Sequence, residues 1–238
     1  MREGGLLLPE KAPRSYKKRA TAHVTAIVPA YNEELRIRGV VDALKKSKGV
    51  DELIVVSDGS TDRTYDLVKD DPDLVALRLP RNLGKAGAMI AGARRARSEW
   101  LLFLDADLIG LTPHHVARLL EPIRHGAADM SVGIFHGGWF LTDLSQIIAP
   151  SITGQRVVSR EFFLSLPDIK DVRYGVEMAI GYHAKREGLR VRSVVLDGVT
   201  HPMKEEKLGL LRGGAARLRM YYEMGRYFVV ARRRSRSR

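Results

Sequence analysis

The sequence predicts an α/β fold in which a mostly parallel, Rossmann-like sheet is flanked by helices and a long helix ends the chain. Two observations predict it. From residue 25 onward, short apolar runs alternate with helical stretches at the spacing of βαβ units. The run at 101–104 is apolar at every position, which is typical of a parallel strand that helices cover on both faces.

The first half of the chain contains four predicted strands, each followed by a polar segment. The strands are expected at 25–28, 53–56, 74–79 and 100–104. Helices are expected at 33–46, from about 62 to 69 and from about 85 to 97. The segments between strand and helix are rich in Asp, Asn, Gly and Ser, which favour turns. This half therefore predicts successive βα units.

The second half is less regular. Thr112 and Pro113 have the residue types of an N-cap and a first helical position, and Ser159 is expected to cap a short helix. Strands are expected at 130–135 and 191–196, and helices at 172–187 and 207–231. The last helix has one apolar stripe. This helix could pack its apolar stripe on the domain, or it could lie on an anionic membrane, and the sequence leaves both interpretations open.

Composition sets the limits for function. The 238 residues suit one domain, and the absence of Cys excludes disulfides, thiolate metal sites and Cys nucleophiles and fits a cytoplasmic setting. The net charge of +12 is concentrated in an arm at 1–22, expected to be mobile, and a tail at 232–238. Such a charge implies anionic partners: nucleic acid, phosphorylated substrates or acidic lipids. No apolar stretch approaches the roughly 20 residues of a membrane span, so a soluble or peripheral protein is expected.

The predicted strand at 100–104 ends in two acids, Asp105 and Asp107. Ligands bind open α/β sheets at the carboxyl ends of their strands. Two carboxylates crowded at such a position repel each other and need a cation. We expect Mg²⁺ or Mn²⁺ to bridge them to a diphosphate, since these metals favour carboxylate and phosphate oxygens. Ordinary solvated acids are the alternative.

The loops after the other strands also carry groups suited to a nucleotide. Tyr31 offers a ring to lie beside a base, and Glu33 a carboxylate to accept from a base N–H. Asp58 opens a turn with free hydroxyls and backbone donors. Lys85 starts a helix whose N-terminus favours anions. Each feature has an ordinary alternative, namely a cap, a turn or a solvated lysine, but together they favour a nucleotide site along one sheet edge.

These motifs resemble those of the family 2 glycosyltransferases, which have the GT-A fold and bind nucleotide sugars. The matching segments are, in order, Val-Pro-Ala-Tyr-Asn-Glu-Glu at 28–34, Asp-Gly-Ser-Thr-Asp at 58–62, Asn-Leu-Gly-Lys-Ala-Gly-Ala at 82–88 and Asp-Ala-Asp at 105–107. The resemblance implies that the nucleotide-sugar site consists of Pro29, Ala30, Tyr31, Glu33, Asp58, Lys85, Asp105 and Ala106, with Asp107 as the main metal ligand and a catalytic residue.

The second half resembles the polyprenyl-phosphate sugar transferases, which are dolichyl-phosphate-mannose-synthase-like enzymes. Thr-Gly-Gln-Arg at 153–156 is similar to their Ser-Gly-x-Arg segment. This implies that Gln155 and Arg156 hold the acceptor or its phosphate. Glu177 matches a position where these enzymes keep an acidic residue facing the acceptor, and it is the candidate general base. His201 is a candidate third metal ligand or a plain loop residue, and Lys204 and Lys207 are candidates to close over the diphosphate.

The expected function is metal-dependent transfer of a hexose, with inversion, from a UDP- or GDP-sugar to a phosphorylated acceptor. A polyprenyl phosphate is the first candidate acceptor. The expected organisation is one domain at 23–231, with a nucleotide-sugar half at 23–110 and an acceptor half at 111–231. The expected location is cytoplasmic. Peripheral attachment at the inner face of an anionic membrane and a homodimer are left open.

Three alternatives remain. The first is retaining transfer to a soluble phosphorylated acceptor, as in glucosyl-phosphoglycerate synthesis. The second is a sugar-1-phosphate nucleotidyltransferase, which typically opens with a longer Gly-rich phosphate loop than residues 29–34. The third is a nucleic-acid-binding module, which would leave the buried strand with its two acids unexplained. No nucleic acid partner is therefore expected.

Overall fold

A computed structural model describes residues 22–135, 153–167, 169 and 175–201. Strands of the described chain form one seven-stranded sheet in the order β3-β2-β1-β4-β6-β5-β7. The strands are β1 Val24–Ala30, β2 Glu52–Ser57, β3 Val75–Arg78, β4 Trp100–Phe103, β5 Met130–Phe135, β6 Arg156–Ser159 and β7 Val191–Leu196. The helices are α1 Ile37–Lys45, α2 Gly84–Arg95, α3 Pro113–Arg124, α4 Arg160–Ser165 and α5 Val176–Arg186.

The sheet is mostly parallel, as predicted. β1 pairs in parallel with β2 and β4, β2 with β3, and β5 with β7. Only β6 runs the other way among these strands, antiparallel to both β4 and β5. Strands from both halves of the chain thus hydrogen-bond in a single sheet, with the carboxyl ends of the parallel strands at one edge.

Helices cover both faces of the sheet because successive strand residues point to opposite sides. On one face, Ala26 and Leu102 pack in a cluster that contains the apolar residues of α1 and α3. On the other face, Ile27 and Phe103 pack in a cluster that contains residues of α2, α4 and α5. The ring centroids of Phe103 and Phe163 lie 4.7 Å apart. The all-apolar strand at 100–104 is therefore buried on both sides, as its sequence indicates.

Two predicted helix starts are confirmed by their caps. The Thr112 backbone N–H donates to His115 Nδ1 at 3.2 Å, and Pro113 is the first residue of α3. The Ser159 Oγ accepts from the Phe162 N–H at 3.2 Å and begins α4. In both cases a side chain satisfies a backbone group that the first helical turn leaves without a partner.

Several expectations were wrong or incomplete. The helix predicted at 62–69 is a series of turns, and α1 begins at Ile37 rather than residue 33. The strand β6 was not predicted at all. The helix predicted at 172–187 is described from Val176 onward. The long helix at 207–231 lies outside the described residues, as do the tail and all but the last residue of the arm predicted at 1–22. None of the helices in the described ranges has the length and apolarity of a membrane span.

Candidate active site

The loops after β1 and β2 lie side by side because the two strands are parallel and in register, with Ala30 opposite Ser57. The N–H of Asp58 donates to the Ala30 carbonyl at 2.8 Å. The carboxylate of Asp58 is almost completely buried, and its Oδ1 accepts from the Leu83 N–H at 2.7 Å. Asp58 therefore ties the loop after β3 to the ends of β1 and β2.

Side chains of one loop hold the backbone of the other. The Asn32 Oδ1 accepts from the Thr61 N–H at 2.9 Å, and Asn32 adopts a positive φ of 55°, which asparagine tolerates. The Glu33 N–H donates to Thr64 Oγ1 at 2.8 Å. These contacts fix the loop that carries Tyr31.

The carboxylate of Asp62 accepts from the Glu34 N–H at 3.1 Å and from the Thr64 N–H at 2.9 Å. Burial alone would raise the pKa of Asp62, but the hydrogen bonds from Thr64 and Glu34 lower the pKa below its ordinary value. This residue therefore stays ionised and serves the loop rather than the open site.

A second group of side chains forms a charged cluster at the same sheet edge. The ammonium of Lys85, in the first turn of α2, forms ion pairs with Asp105 Oδ1 and with Glu177 Oε1, the latter at 2.6 Å. The second oxygen of Asp105 accepts from Gln155 Nε2 at 2.9 Å. The structure thus brings together four residues that the sequence placed separately near the donor and the acceptor.

The charged groups of this cluster shift one another's pKa values. Burial alone would lower the pKa of Lys85, but the carboxylates of Asp105 and Glu177 raise it above its ordinary value. Burial alone would raise the pKa of Asp105. The Lys85 charge and hydrogen bond, together with the Gln155 hydrogen bond, lower the pKa of Asp105 below its ordinary value. Lys85 and Asp105 are therefore both ionised at neutral pH.

Arg156 lies beneath the cluster and is fully buried. Its guanidinium donates to the backbone carbonyl of Glu177 at 3.0 Å and to that of Thr153. Burial lowers the pKa of Arg156, while the charges of Glu177 and Asp105 act in the opposite direction. An arginine remains protonated under such conditions, so Arg156 places a second positive charge under the two acids.

Backbone hydrogen bonds hold the loop of His201 next to the loop of the two acids. Ile109, two residues after Asp107, exchanges two hydrogen bonds with Thr200, at 2.8 and 3.0 Å. The exposed His201 ring packs 5.5 Å from the Phe135 ring, measured between centroids. The structure therefore brings the loop of His201 beside the loop of Asp105 and Asp107.

The chemistry of this donor set fits a hard divalent cation. Beside Asp105 lies the Gln155 Oε1, a buried oxygen that has no hydrogen-bond partner in the described part of the chain. Within the described ranges, no three acidic or imidazole side chains are grouped closely enough to hold a metal by themselves. Magnesium usually takes only one or two carboxylates, with phosphate and water oxygens completing its coordination. The arrangement suits a metal that arrives with a diphosphate.

The remaining predicted residues are placed as follows. Tyr31 is 48% exposed, which leaves its ring open to a ligand, and Pro29 and Glu33 are half-buried beside it. The methyl groups of Ala30 and Ala106 are buried in the core, so only their backbone could face a nucleotide. Lys204 and Lys207 lie outside the described residues.

Sequence reasoning missed the importance of Gly154. A Cβ at this position would overlap the carboxylate oxygens of Asp105 and the Lys85 ammonium. The signal that was available is a glycine directly before Gln155 and Arg156, because glycine in an irregular segment often marks a close approach. It could not show which residues approach.

Comparison with known proteins agrees with this geometry. Residues 25–157, more than half of the chain, match the sequence profile described as Glycosyl transferase family 2. The chain belongs to glycosyl transferase family 2. The resemblance expected from the motifs is thereby confirmed, and with it the expected enzyme class, the glycosyltransferases.

Two curated relatives carry the names of polyprenyl-phosphate sugar transferases. The dolichyl-phosphate beta-glucosyltransferase ALG5A of Trichomonas vaginalis is 38% identical over 101 residues, covering 37% of this chain and 31% of that protein. The undecaprenyl-phosphate 4-deoxy-4-formamido-L-arabinose transferase of Pectobacterium atrosepticum is 34% identical over 113 residues, covering 44% and 34%. The matches thus span about a third of the length of these relatives.

Among solved structures, the chain is similar to glucosyl-3-phosphoglycerate synthase from Mycobacterium tuberculosis in complex with Mn²⁺, UDP and phosphoglyceric acid. The TM-score is 0.65 at 26% identity, over 81% of this chain and 76% of that one. This likeness, together with the mostly parallel sheet, confirms the expected GT-A fold.

Proposed function

We propose that this family 2 enzyme transfers a hexose from a UDP- or GDP-sugar to a phosphorylated acceptor, with a polyprenyl phosphate as the first candidate, and that it does so with a divalent metal and with inversion. The observation that carries the proposal is the charged cluster. Asp105 at the donor side and Glu177 at the acceptor side share the Lys85 ammonium at the carboxyl edge of the sheet. Such an edge is where open α/β sheets bind their ligands.

The donor would lie across the ends of β1, β2 and β4. The exposed ring of Tyr31 is available to stack on the base, and the hydrogen-bonded loops that carry Glu33 and Asp58 would hold the base or ribose. Lys85 would reach the phosphates from the first turn of α2, where the helix dipole also favours negative charge. The donor half and acceptor half would then act as one catalytic domain, since Lys85 of the first contacts Glu177 of the second.

Asp107 and Asp105, with His201 and the Gln155 Oε1 nearby, would hold Mg²⁺ or Mn²⁺. When bound, the metal would supply Lewis-acid neutralisation of the charge on the departing diphosphate, worth several kcal/mol. The chain's own contribution is to position these oxygens. The backbone bonds between Ile109 and Thr200 hold the two loops together, and Gln155 orients Asp105 at 2.9 Å.

A phosphate acceptor agrees with the position of Glu177. Its Oε1 bonds the Lys85 ammonium at 2.6 Å, so it is not placed to take a proton from an acceptor hydroxyl while this pair persists. An ionised phosphate needs no general base, because it is already an anionic nucleophile. Its oxygen would attack the anomeric carbon as the bond to the diphosphate breaks and the nucleoside diphosphate leaves.

The lipid-linked acceptor is supported by the names of the relatives in Trichomonas and Pectobacterium. A net charge of +12 also suits peripheral attachment to an anionic membrane at its cytoplasmic face. The second candidate is retaining transfer to a soluble phosphorylated acceptor. It is favoured by the structural likeness to glucosyl-3-phosphoglycerate synthase.

The test is a screen of UDP- and GDP-sugars with Mn²⁺, with Mg²⁺ and with EDTA. Each donor is offered undecaprenyl phosphate in anionic vesicles, dolichyl phosphate in the same vesicles, or 3-phosphoglycerate. We expect metal-dependent transfer to a polyprenyl phosphate. NMR of the product should show that the anomeric configuration of the sugar is inverted. Transfer to 3-phosphoglycerate alone, with retention, would establish the second candidate. Absence of transfer and hydrolysis for every donor would refute the proposed function.

Gly154→Ala is expected to lower transfer by about a hundredfold, the size of effect that a misplacement of about 1 Å has in an active site. The added methyl group must displace Asp105 or Lys85, because both lie where it would be. The measurement is the transfer rate at saturating donor and metal. Gly39→Ala is the matched control, since Gly39 lies in α1 with open space around it. Equal rates for the two variants would contradict the crowding at Gly154.

A further inference from the structure

Lys85 holds two carboxylates from different parts of the chain. It bonds Asp105, in the loop after β4, and Glu177, in the first turn of α5. The other oxygen of Asp105 is bonded by Gln155. Both oxygens of Asp105, a residue expected to face a metal and a diphosphate, are thus bonded by the chain's own donors.

Together with Arg156 beneath it, the cluster is electrically balanced without any ligand. Asp105 and Glu177 contribute two negative charges, and Lys85 and the buried Arg156 contribute two positive ones. A divalent cation that approaches Asp105 without a diphosphate therefore meets the Lys85 ammonium, which is already bonded to the same carboxylate. Like charges repel strongly in a half-buried site.

We propose that Lys85 is the resident counter-cation of this site and that it opposes metal binding until a diphosphate is present to receive its ammonium. The inference rests on the proposed function and deepens it, because it concerns how the same site is loaded. A metal–diphosphate complex brings a cation for Asp105 and an anion for Lys85 together. A metal ion without a diphosphate is repelled by the Lys85 ammonium and brings no anion to receive it. Metal and donor consequently load as one unit.

The first experiment measures Mn²⁺ binding without nucleotide, by the EPR signal of free Mn²⁺. We expect Lys85→Met to bind Mn²⁺ about tenfold more tightly than the wild type, within the usual range of coupling between sites. Lys85→Arg keeps the charge and should stay near the wild-type affinity. Lys69→Met is the matched control, since the Lys69 ammonium pairs with Asp66 on the surface at 3.0 Å. It should leave Mn²⁺ affinity unchanged.

The second experiment measures binding of UDP, and of GDP in a parallel series, by calorimetry at saturating Mn²⁺. Lys85→Met should bind the nucleotide about tenfold more weakly, because the diphosphate has lost its ammonium partner. Tighter metal binding combined with weaker nucleotide binding is what a counter-cation predicts. A lysine that merely supports the structure would weaken both.

A measurement on the wild type covers the case in which Lys85→Met does not fold. The ¹⁵Nζ signal of Lys85, assigned by its loss in Lys85→Arg, should shift when Mg²⁺ and UDP or GDP are added together but not with Mg²⁺ alone. An equal shift with Mg²⁺ alone would overturn the inference, as would unchanged or weaker Mn²⁺ binding by Lys85→Met. If the wild type binds neither nucleotide in the presence of metal, the proposed function itself fails.

Discussion

Asp107→Ala is expected to reduce sugar transfer by about a thousandfold or more. Asp107 is the proposed main metal ligand, and the metal's contribution of several kcal/mol corresponds to roughly that factor, since each 1.4 kcal/mol is tenfold. The fold should survive. The carboxylate is half-buried, and its loop is held by the backbone bonds between Ile109 and Thr200, which the substitution does not touch.

The measurements are transfer rate, Mn²⁺ affinity in the presence of nucleoside diphosphate, and the thermal midpoint. Asp73→Ala is the control, because Asp73 is an exposed acid just before β3, at the opposite edge of the sheet, and its contact is with Lys45. It should leave transfer unchanged. A variant at Asp107 that keeps near-normal transfer, and still requires metal for it, would remove Asp107 from the metal site.

The parallel part of the sheet could be predicted from the sequence because each of its central strands contains a run of at least three consecutive apolar residues. β1, β2 and β4 are buried along nearly their whole length, and period-2 exposure is absent. Once these strands are parallel, their carboxyl ends must share one edge. The common location of Asp58, Lys85 and Asp105 could therefore be predicted without coordinates.

The sequence pattern predicted the wrong local structure where polar side chains form hydrogen bonds that compete with those of a helix. The segment at 62–69 has the composition of a helix, but Asp62 and Thr64 bond the backbone of Glu33 and Glu34 in the neighbouring loop. Such side-chain bonds offer the chain an alternative to helix. β6 was missed for another reason. It is short and begins with Arg156, a charged residue that a buried strand rarely contains.

The charged cluster could not be predicted because it depends on contacts between residues far apart in sequence. The resemblance placed Lys85 with the donor and Glu177 with the acceptor. Their direct contact at 2.6 Å follows only from α2 and α5 packing on the same face of the sheet. Likewise, Arg156 was expected to hold a phosphate, whereas its burial beneath Glu177 supports a positioning role in the described state.

Arg156→Met is expected to lower the free energy of unfolding by about 3–5 kcal/mol, the usual cost of removing one partner from a buried set of charges. Methionine keeps an unbranched apolar stem but has no donors. The carbonyls of Thr153 and Glu177 would lose the bonds they accept from the guanidinium, and the two acids would lose the positive charge beneath them. At roughly 2–4 °C per kcal/mol for a domain of this size, the thermal midpoint should fall by about 6–20 °C.

Arg160→Met provides the comparison. Arg160 also donates to a backbone carbonyl, that of Ala93 at 2.8 Å, but it is half-buried and lies outside the charged cluster. Its loss should cost about 1.5 kcal/mol, the lower end of the range for a hydrogen bond that involves a charged group. Thermal and denaturant unfolding of both variants measure the difference. A thermal midpoint of Arg156→Met within a few degrees of that of Arg160→Met would contradict this prediction. It would mean that the buried guanidinium does not balance the charges of the two acids.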